Sequence, residues 1–196
     1  TSHGVPDWYI WSCKKIKYMF PKAHAAAYVM MGWRIAWFKV HKPLAYYAAY
    51  FGIRASAFSY ELMCRGKERL DIALTELLKT KKDQDTIRDG RIAQEMYARG
   101  FEFMPIDIYK AKARECQIID GKIMPPLSSV EGLGDKACEQ VEEAAKHGPF
   151  TSLENFRNQA KVSKTNVDKM VELGILTGLP ETDQLTFDFF MAQSQV

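Results

Sequence analysis

Two glycines separated by one leucine form the stretch that could do chemistry through its backbone. In Ser128-Ser129-Val130-Glu131-Gly132-Leu133-Gly134-Asp135-Lys136-Ala137-Cys138-Glu139-Gln140-Val141, a valine precedes the Gly132-Leu133-Gly134 turn. A helical pattern follows, with Ala137 and Val141 on its inner face. Glycines allow a tight turn, and the N–H groups at the start of the next helix can meet a phosphate with no side chain in the way. Lys136 adds positive charge. Such a contact positions a phosphate backbone without reading sequence. An ordinary C-cap glycine followed by a new helix is the plainer alternative.

A second segment repeats the pattern. Phe150-Thr151-Ser152-Leu153-Glu154-Asn155-Phe156 opens a helix with a capping pattern, and Lys161-Val162-Ser163-Lys164-Thr165-Asn166-Val167 replaces the glycines with a polar turn. A helix through Met170 to Leu173 follows, and Gly174-Ile175-Leu176 closes the unit. Ser163, Lys164 and Thr165 are placed to donate to phosphate from the new helix's first turn. Taken alone, this second segment reads equally as a plain helical hairpin. Together the two resemble tandem helix-hairpin-helix motifs with one degenerate turn, an arrangement suited to nonspecific binding of a duplex.

The tail is the third candidate. After Gly178-Leu179-Pro180 the chain becomes acidic and carries Gln184-Leu185-Thr186-Phe187-Asp188-Phe189-Phe190. Exposed leucine and phenylalanines near a terminus are costly unless covered. A glutamine anchor with apolar residues at alternate positions suits insertion into a partner's groove. Docking of the tail on its own domain is the alternative.

Two other constellations are weaker. Asp83 and Asp85 form an Asp-x-Asp pair, but a metal-dependent phosphoryl transferase needs carboxylates on a rigid element, and this pair sits in a lysine-rich polar connection. A solvated turn is expected there. His24 and His41 lack metal-ligand spacing, and His24 beside Lys22 reads as an anion contact or a helix-start residue. The four cysteines, Cys13, Cys64, Cys116 and Cys138, lie far apart with no C-x-x-C pair. They are expected to be free thiols in a reducing compartment, with no structural zinc.

The elements that must carry these residues can be read in order. A short helix is expected before Phe20, then one long helix between Pro21 and Pro43, each proline suited to a first helical turn. Between Lys14 and Lys42 there are seven cations (Lys14, Lys15, Lys17, Lys22, Arg34, Lys39, Lys42) and no acid, while the whole chain carries only +3. A helix so rich in alanine and aromatics, yet only positively charged, is expected to pack on a core and face something anionic. Nucleotide, nucleic acid and acidic lipid are the candidates.

Leu44 to Phe51 predicts a second helix packed against the long one. Lys67 to Lys82 predicts an amphipathic helix, Thr80 to Asp85 a connection, and Arg91 to Arg99 a helix stopped by Gly100. Phe101 to Ile108 predicts a strand, and Asp120-Gly121 between β-branched runs predicts a hairpin. Pro125-Pro126 opens the third, helical region. The longest nearly uncharged apolar run, Ala25 to Trp33, is far shorter than the roughly 20 residues that span a bilayer, so no membrane span is expected. The sequence begins at Thr1 with no methionine and no secretory pattern, which suggests a piece of a longer protein.

These residues carry a closer resemblance. Tyr18 to Val29, Arg34 to His41 and Tyr46 to Phe51, with Ile106-Asp107-Ile108-Tyr109, the Gly132-Leu133-Gly134 turn and the Gln184 tail, closely resemble the C-terminal part of PolC-type bacterial DNA polymerase III alpha subunits. The likeness covers essentially the whole chain. It implies a mainly α fold: the C-terminal part of a helical fingers domain (1–100), a small β-hairpin connection (101–125), a tandem helix-hairpin-helix duplex-binding domain (126–180) and an extended clamp-binding tail (181–196).

Site residues follow from the same resemblance. Lys22 and His24 match the fingers segment near the nascent base pair, and with Arg34 they are expected to meet incoming nucleotide or template phosphate. Gly132, Leu133, Gly134, Lys136, Ser163, Lys164 and Thr165 are expected at the duplex. Gln184, Leu185, Phe187 and Phe189 match a clamp-binding pattern Q-L-x-L-x-F, with Phe187 in place of the usual leucine.

The implied partners are primer–template duplex, incoming dNTP, a sliding clamp and the rest of the polymerase, including palm and thumb. No membrane is implied, and the location is cytoplasmic. No catalytic or metal-binding residue is implied here. The Mg²⁺ of the full-length enzyme would be held by aspartates before Thr1, so this piece alone should not polymerise. A free-standing, nonspecific helix-hairpin-helix module remains the alternative, although it needs neither the Pro21–Pro43 segment nor a clamp-type tail. Peripheral membrane binding is disfavoured because the basic helix has no single polar face.

Overall fold

The computed structural model describes residues 2–16, 21–80 and 83–183. The chain divides into two units after Lys42, within the stretch 1–100 expected as one segment. Among the described residues it is mainly helical with one two-stranded hairpin.

The first unit holds α1 (Asp7–Lys15) and α2 (Lys22–His41). Pro21 stands immediately before α2, and Lys42 leaves the helical region at φ −137°, as the residue before a proline is driven to do. Neither α1 nor α2 has a buried residue. α3 (Pro43–Ala49) buries Tyr47 in the core of the second unit.

In the second unit, α3 runs into a π-helical turn, Tyr50–Arg54, followed by α4 (Tyr60–Met63), α5 (Lys67–Thr80) and α6 (Gln84–Ala98). Tyr47, Phe51, Met63, Leu70, Leu74, Ala93 and Met96 form their shared core with Phe103 and Ile123. α5 and α6 approach closely at Gly90, where an added Cβ would lie 2.7 Å from Leu74 Cδ2. α6 begins seven residues before the expected Arg91. The reason is tertiary: buried Asp89 accepts hydrogen bonds from Tyr50 Oη (2.8 Å), the Ala57 N–H (2.9 Å) and Arg88 Nε (3.0 Å), so a polar stretch is held inside. Gly100, at φ +81°, follows its end as expected.

The strand expected over Phe101–Ile108 does not form. Pro105 has no N–H to continue a ladder, and only one bridge remains, Phe103 to Ile123. Phe103, Ile106 and Ile108 are nonetheless buried. The hairpin does form: β1 (Gln117–Ile119) pairs antiparallel with β2 (Lys122–Met124), Ile118 opposite Ile123. Asp120 (φ +49°) and Gly121 (φ +76°) supply the two positive φ values of a type I′ turn.

A 3₁₀ turn, Leu127–Ser129, leads to α7 (Asp135–Ala145), α8 (Leu153–Ala160) and α9 (Lys164–Glu172). Their core includes Leu127, Val130, Leu133, Cys138, Val141, Phe156, Val162, Val167 and Met170. α4 joins the two cores of this unit, with Met63 in one and Tyr60 in the other.

Candidate nucleic-acid interface

The turn before α7 is built by one buried and two exposed residues. Leu133 is buried and its N–H donates to Val130 O (3.2 Å), which anchors the turn on the core. Gly132 sits at φ +84°, a conformation that favours glycine, and Gly134 at φ −64°, ψ +157° caps α7. An added Cβ at Gly134 would meet no atom within 4 Å, so packing within this chain does not require glycine there. Gly134 also gives α7 no side-chain cap, leaving the first-turn N–H groups facing outward.

The turn before α9 repeats two features of the first with different residues, a positive φ two residues before the cap and an extended cap. Lys161 is left-handed at φ +53°, Val162 is buried, and Ser163 caps the helix at φ −69°, ψ +155°. Lys161 therefore occupies the place of Gly132, Val162 that of Leu133 and Ser163 that of Gly134. Here Ser163 Oγ accepts from the Asn166 N–H (3.2 Å), so one first-turn donor is already satisfied. The N-terminus of α8 is filled by the chain itself: Leu153 N–H donates to Pro180 O (2.8 Å) and Glu154 N–H to Glu181 O (3.1 Å).

Charge is distributed unevenly over this region. Lys110, Lys112, Arg114, Lys122, Lys146 and Lys169 are all in ion pairs with carboxylates. Lys136, Arg157, Lys161 and Lys164 are exposed and form no ion pair with another described residue. The three lysines lie at the two turns, and Arg157 on α8.

Acidic Asp135, the first residue of α7, stands at the first turn too and is 67% exposed. Arg114 Nη2 lies 3.3 Å from Asp135 Oδ2 and 3.0 Å from Glu139 Oε1, screening both. Arg114 is held by its neighbours, because Glu142 accepts from the Ala113 N–H (2.6 Å) and pairs with Lys112 (3.1 Å). Burial pushes the Glu142 carboxyl up, but the Ala113 N–H and Lys112 ammonium outweigh it and hold it below the usual carboxylate value. On the inner face of α7, burial pushes the Cys138 thiol up to about 11.

Leu133, expected among the duplex contacts, has its side chain in the core, where it anchors the turn. Gly132, Gly134, Lys136, Ser163, Lys164 and Thr165 are exposed. Lys161 and Arg114 were not legible as site residues; the repeated left-handed turn points to Lys161, and only the fold brings Arg114 to α7. Lys22 and His24 share the first turn of α2, whereas Arg34 lies about 18 Å further along its axis, so the three cannot grip one phosphate. Gln184, Leu185, Phe187 and Phe189 lie outside the described residues. Asp83 sits at φ +55° before α6, whereas Asp85, expected in a solvated turn, lies in the first turn of α6 and pairs with Arg88 (2.7 Å) on the surface.

Residues 100–184 match the family model described as helix-hairpin-helix motif. Three relatives bear the name DNA polymerase III PolC-type. That of Caldanaerobacter subterraneus subsp. tengcongensis is 44% identical over 189 residues, 94% of this chain and 14% of the relative. That of Streptococcus sanguinis is 45% identical over 96% of this chain and 13% of its own length. That of Streptococcus suis is 47% identical over 93% and 13%. The chain thus spans about one seventh of the curated relatives it matches.

Proposed function

Since the chain is homologous over nearly its whole length to a segment of PolC-type DNA polymerase III, we propose that it is a piece of a replicative DNA-directed DNA polymerase. In this reading it grips primer–template duplex and tethers the enzyme to a sliding clamp, while template-directed dNTP addition to the primer 3′ end occurs elsewhere in the full-length protein. One observation carries the duplex-binding part. The turns before α7 and α9 each have a positive φ two residues before an extended helix cap, and Lys136, Lys161 and Lys164, which form no ion pair with another described residue, lie at those turns. Outward first-turn N–H groups at Gly134 and lysines at Lys161 and Lys164 suit two phosphates of a duplex.

The finer parts of the proposal have their own support. Lys22, His24 and Arg34 are exposed on an acid-free helix, which suits contact with incoming dNTP and template phosphates at separate points. The apolar surface of α2 suits cover by the rest of the polymerase. The pattern of Gln184, Leu185, Phe187 and Phe189 supports a clamp-groove peptide. Among the described residues no group of three or more His, Cys, Asp or Glu could hold a metal ion. The proposal leaves Mg²⁺ to residues outside this chain and takes the chain alone to be inactive. No helix among the described residues is long and apolar enough to cross a membrane, and a cytoplasmic location belongs to the proposal.

The test is capture of this chain by a bacterial sliding clamp, with Gln184→Ala/Phe189→Ala as control. Capture lost in the double variant supports the polymerase reading. Failure of the intact chain to bind leaves a duplex-binding module without a tether.

A further inference from the structure

We propose that Arg114 is a positioning residue of the first phosphate site: it acts on the duplex through Asp135 and Glu139, whose charge it neutralises, and does not itself touch a phosphate. The inference deepens the duplex reading of the hairpins and rests on it. The charges of the first turn call for such a residue. From Glu131 to Glu139 there are three acids, Glu131, Asp135 and Glu139, against one cation, Lys136. The second turn differs, since Lys161 to Val167 holds two lysines and no acid. Asp135 is the first residue of α7, where an anion would bind, and Glu139 lies one turn further on the same face. A carboxylate there repels a phosphate and already occupies the favourable end of the helix dipole.

The fold delivers one cation to this place and fixes the backbone that carries it. Arg114 Nη2 lies 3.0 Å from Glu139 Oε1 and 3.3 Å from Asp135 Oδ2, so a single guanidinium nitrogen bridges both acids. The two residues before Arg114 are held from both sides of the hairpin. Ahead of the turn, the Leu127 and Ser128 N–H groups donate to Lys112 O and Ala113 O, each at 2.9 Å. Beyond the turn, Glu142 of α7 accepts from the Ala113 N–H and from Lys112 Nζ. Ala113 is buried. Arg114 thus leaves a braced segment and is engaged by α7 on arrival, which gives it a screening role, while Lys136 has no such partner and is left for phosphate.

The experiment is a double-mutant cycle on the 196-residue chain, read as affinity for a blunt, fluorescein-labelled duplex over a range of salt. At low salt, Arg114→Ala weakens binding by about fivefold to tenfold in the parent, because two carboxylates beside the site lose their counter-charge. In an Asp135→Asn/Glu139→Gln background the same substitution changes affinity by less than about twofold, there being no charge left to screen. The log–log salt slope of Arg114→Ala matches that of the parent, since no phosphate contact is lost. Arg114→Lys, which keeps the charge, stays within about threefold of the parent. Asp135→Asn/Glu139→Gln alone binds more tightly than the parent, a result that stands whether or not Arg114→Ala folds. An equal loss from Arg114→Ala in both backgrounds, or a slope lowered by about 0.9, overturns the proposal and makes Arg114 a structural residue or a phosphate contact. A parent chain with no salt-dependent duplex binding removes the hairpin reading and this inference with it, whereas a parent that binds and a flat cycle remove this inference alone.

Discussion

Lys169 Nζ of α9 lies 2.9 Å from Glu61 Oε2 of α4, joining residues 108 positions apart. Arg69 approaches the same carboxylate at 3.8 Å. The second hairpin is thereby pinned to the short helix that joins both cores of the second unit. The hydrogen bond from Lys169 holds the Glu61 carboxyl below its usual range, and the same bond raises the Lys169 ammonium.

This pair gives a pH signature. A lowered carboxylate contributes stability that is present above its ordinary pKa and lost as pH falls through the folded value. A raised ammonium contributes stability present below its ordinary pKa and lost as pH rises through the folded one. The link therefore acts across the neutral range. Denaturant titrations should find Glu61→Gln less stable than the parent at neutral pH, with the gap closing in acid below the usual carboxylate range. A gap independent of pH would mean the carboxylate is not the cause.

Lys161 holds a left-handed backbone without being glycine. Lys161→Gly should stabilise the protein by about 1 kcal/mol while weakening duplex binding, because strain and one phosphate-facing charge are removed together. Stability from urea unfolding and affinity from fluorescence anisotropy should thus move in opposite directions.

Asp89 is fully buried and accepts from Tyr50, Ala57 and Arg88. Asp89→Ala leaves three part-buried or exposed donors without their acceptor and should cost about 2 kcal/mol, measured by urea unfolding. Asp89→Asn keeps one acceptor oxygen and should cost less.

Burial sets thiol reactivity. The Cys64 thiol is pushed well above its ordinary value, Cys116 up to about 12 and Cys138 up to about 11. Only the thiolate attacks a disulfide reagent. At mildly alkaline pH, Cys13 should label before Cys64, Cys116 and Cys138 in a mass-resolved time course.

Much of the architecture could be read from local chemistry. Pro21 and Pro43 bracket α2, Asp120-Gly121 demands its turn, and Gly100 marks the end of α6, because each acts through its own backbone. What escaped depends on distant residues. The first turns of α6 look like a loop until Tyr50 and Ala57 are seen to satisfy Asp89. The stretch 101–108 has strand-like residues but needs a partner ladder, and Pro105 breaks it. At the interface both turns were legible, the second through Ser163, Lys164 and Thr165, whereas the left-handed backbone of Lys161 was not, and Arg114 reaches α7 only because Glu142 holds the Lys112–Ala113 backbone.

The central claim is that the two turns hold a duplex by its phosphates. Its most direct test is the salt dependence of duplex affinity for the parent chain and for Lys136→Ala/Lys161→Ala/Lys164→Ala. The account predicts that affinity falls steeply with salt and that the triple variant flattens the log–log slope by about 2.7, roughly 0.9 per lost phosphate contact. Identical slopes for the two proteins would contradict it.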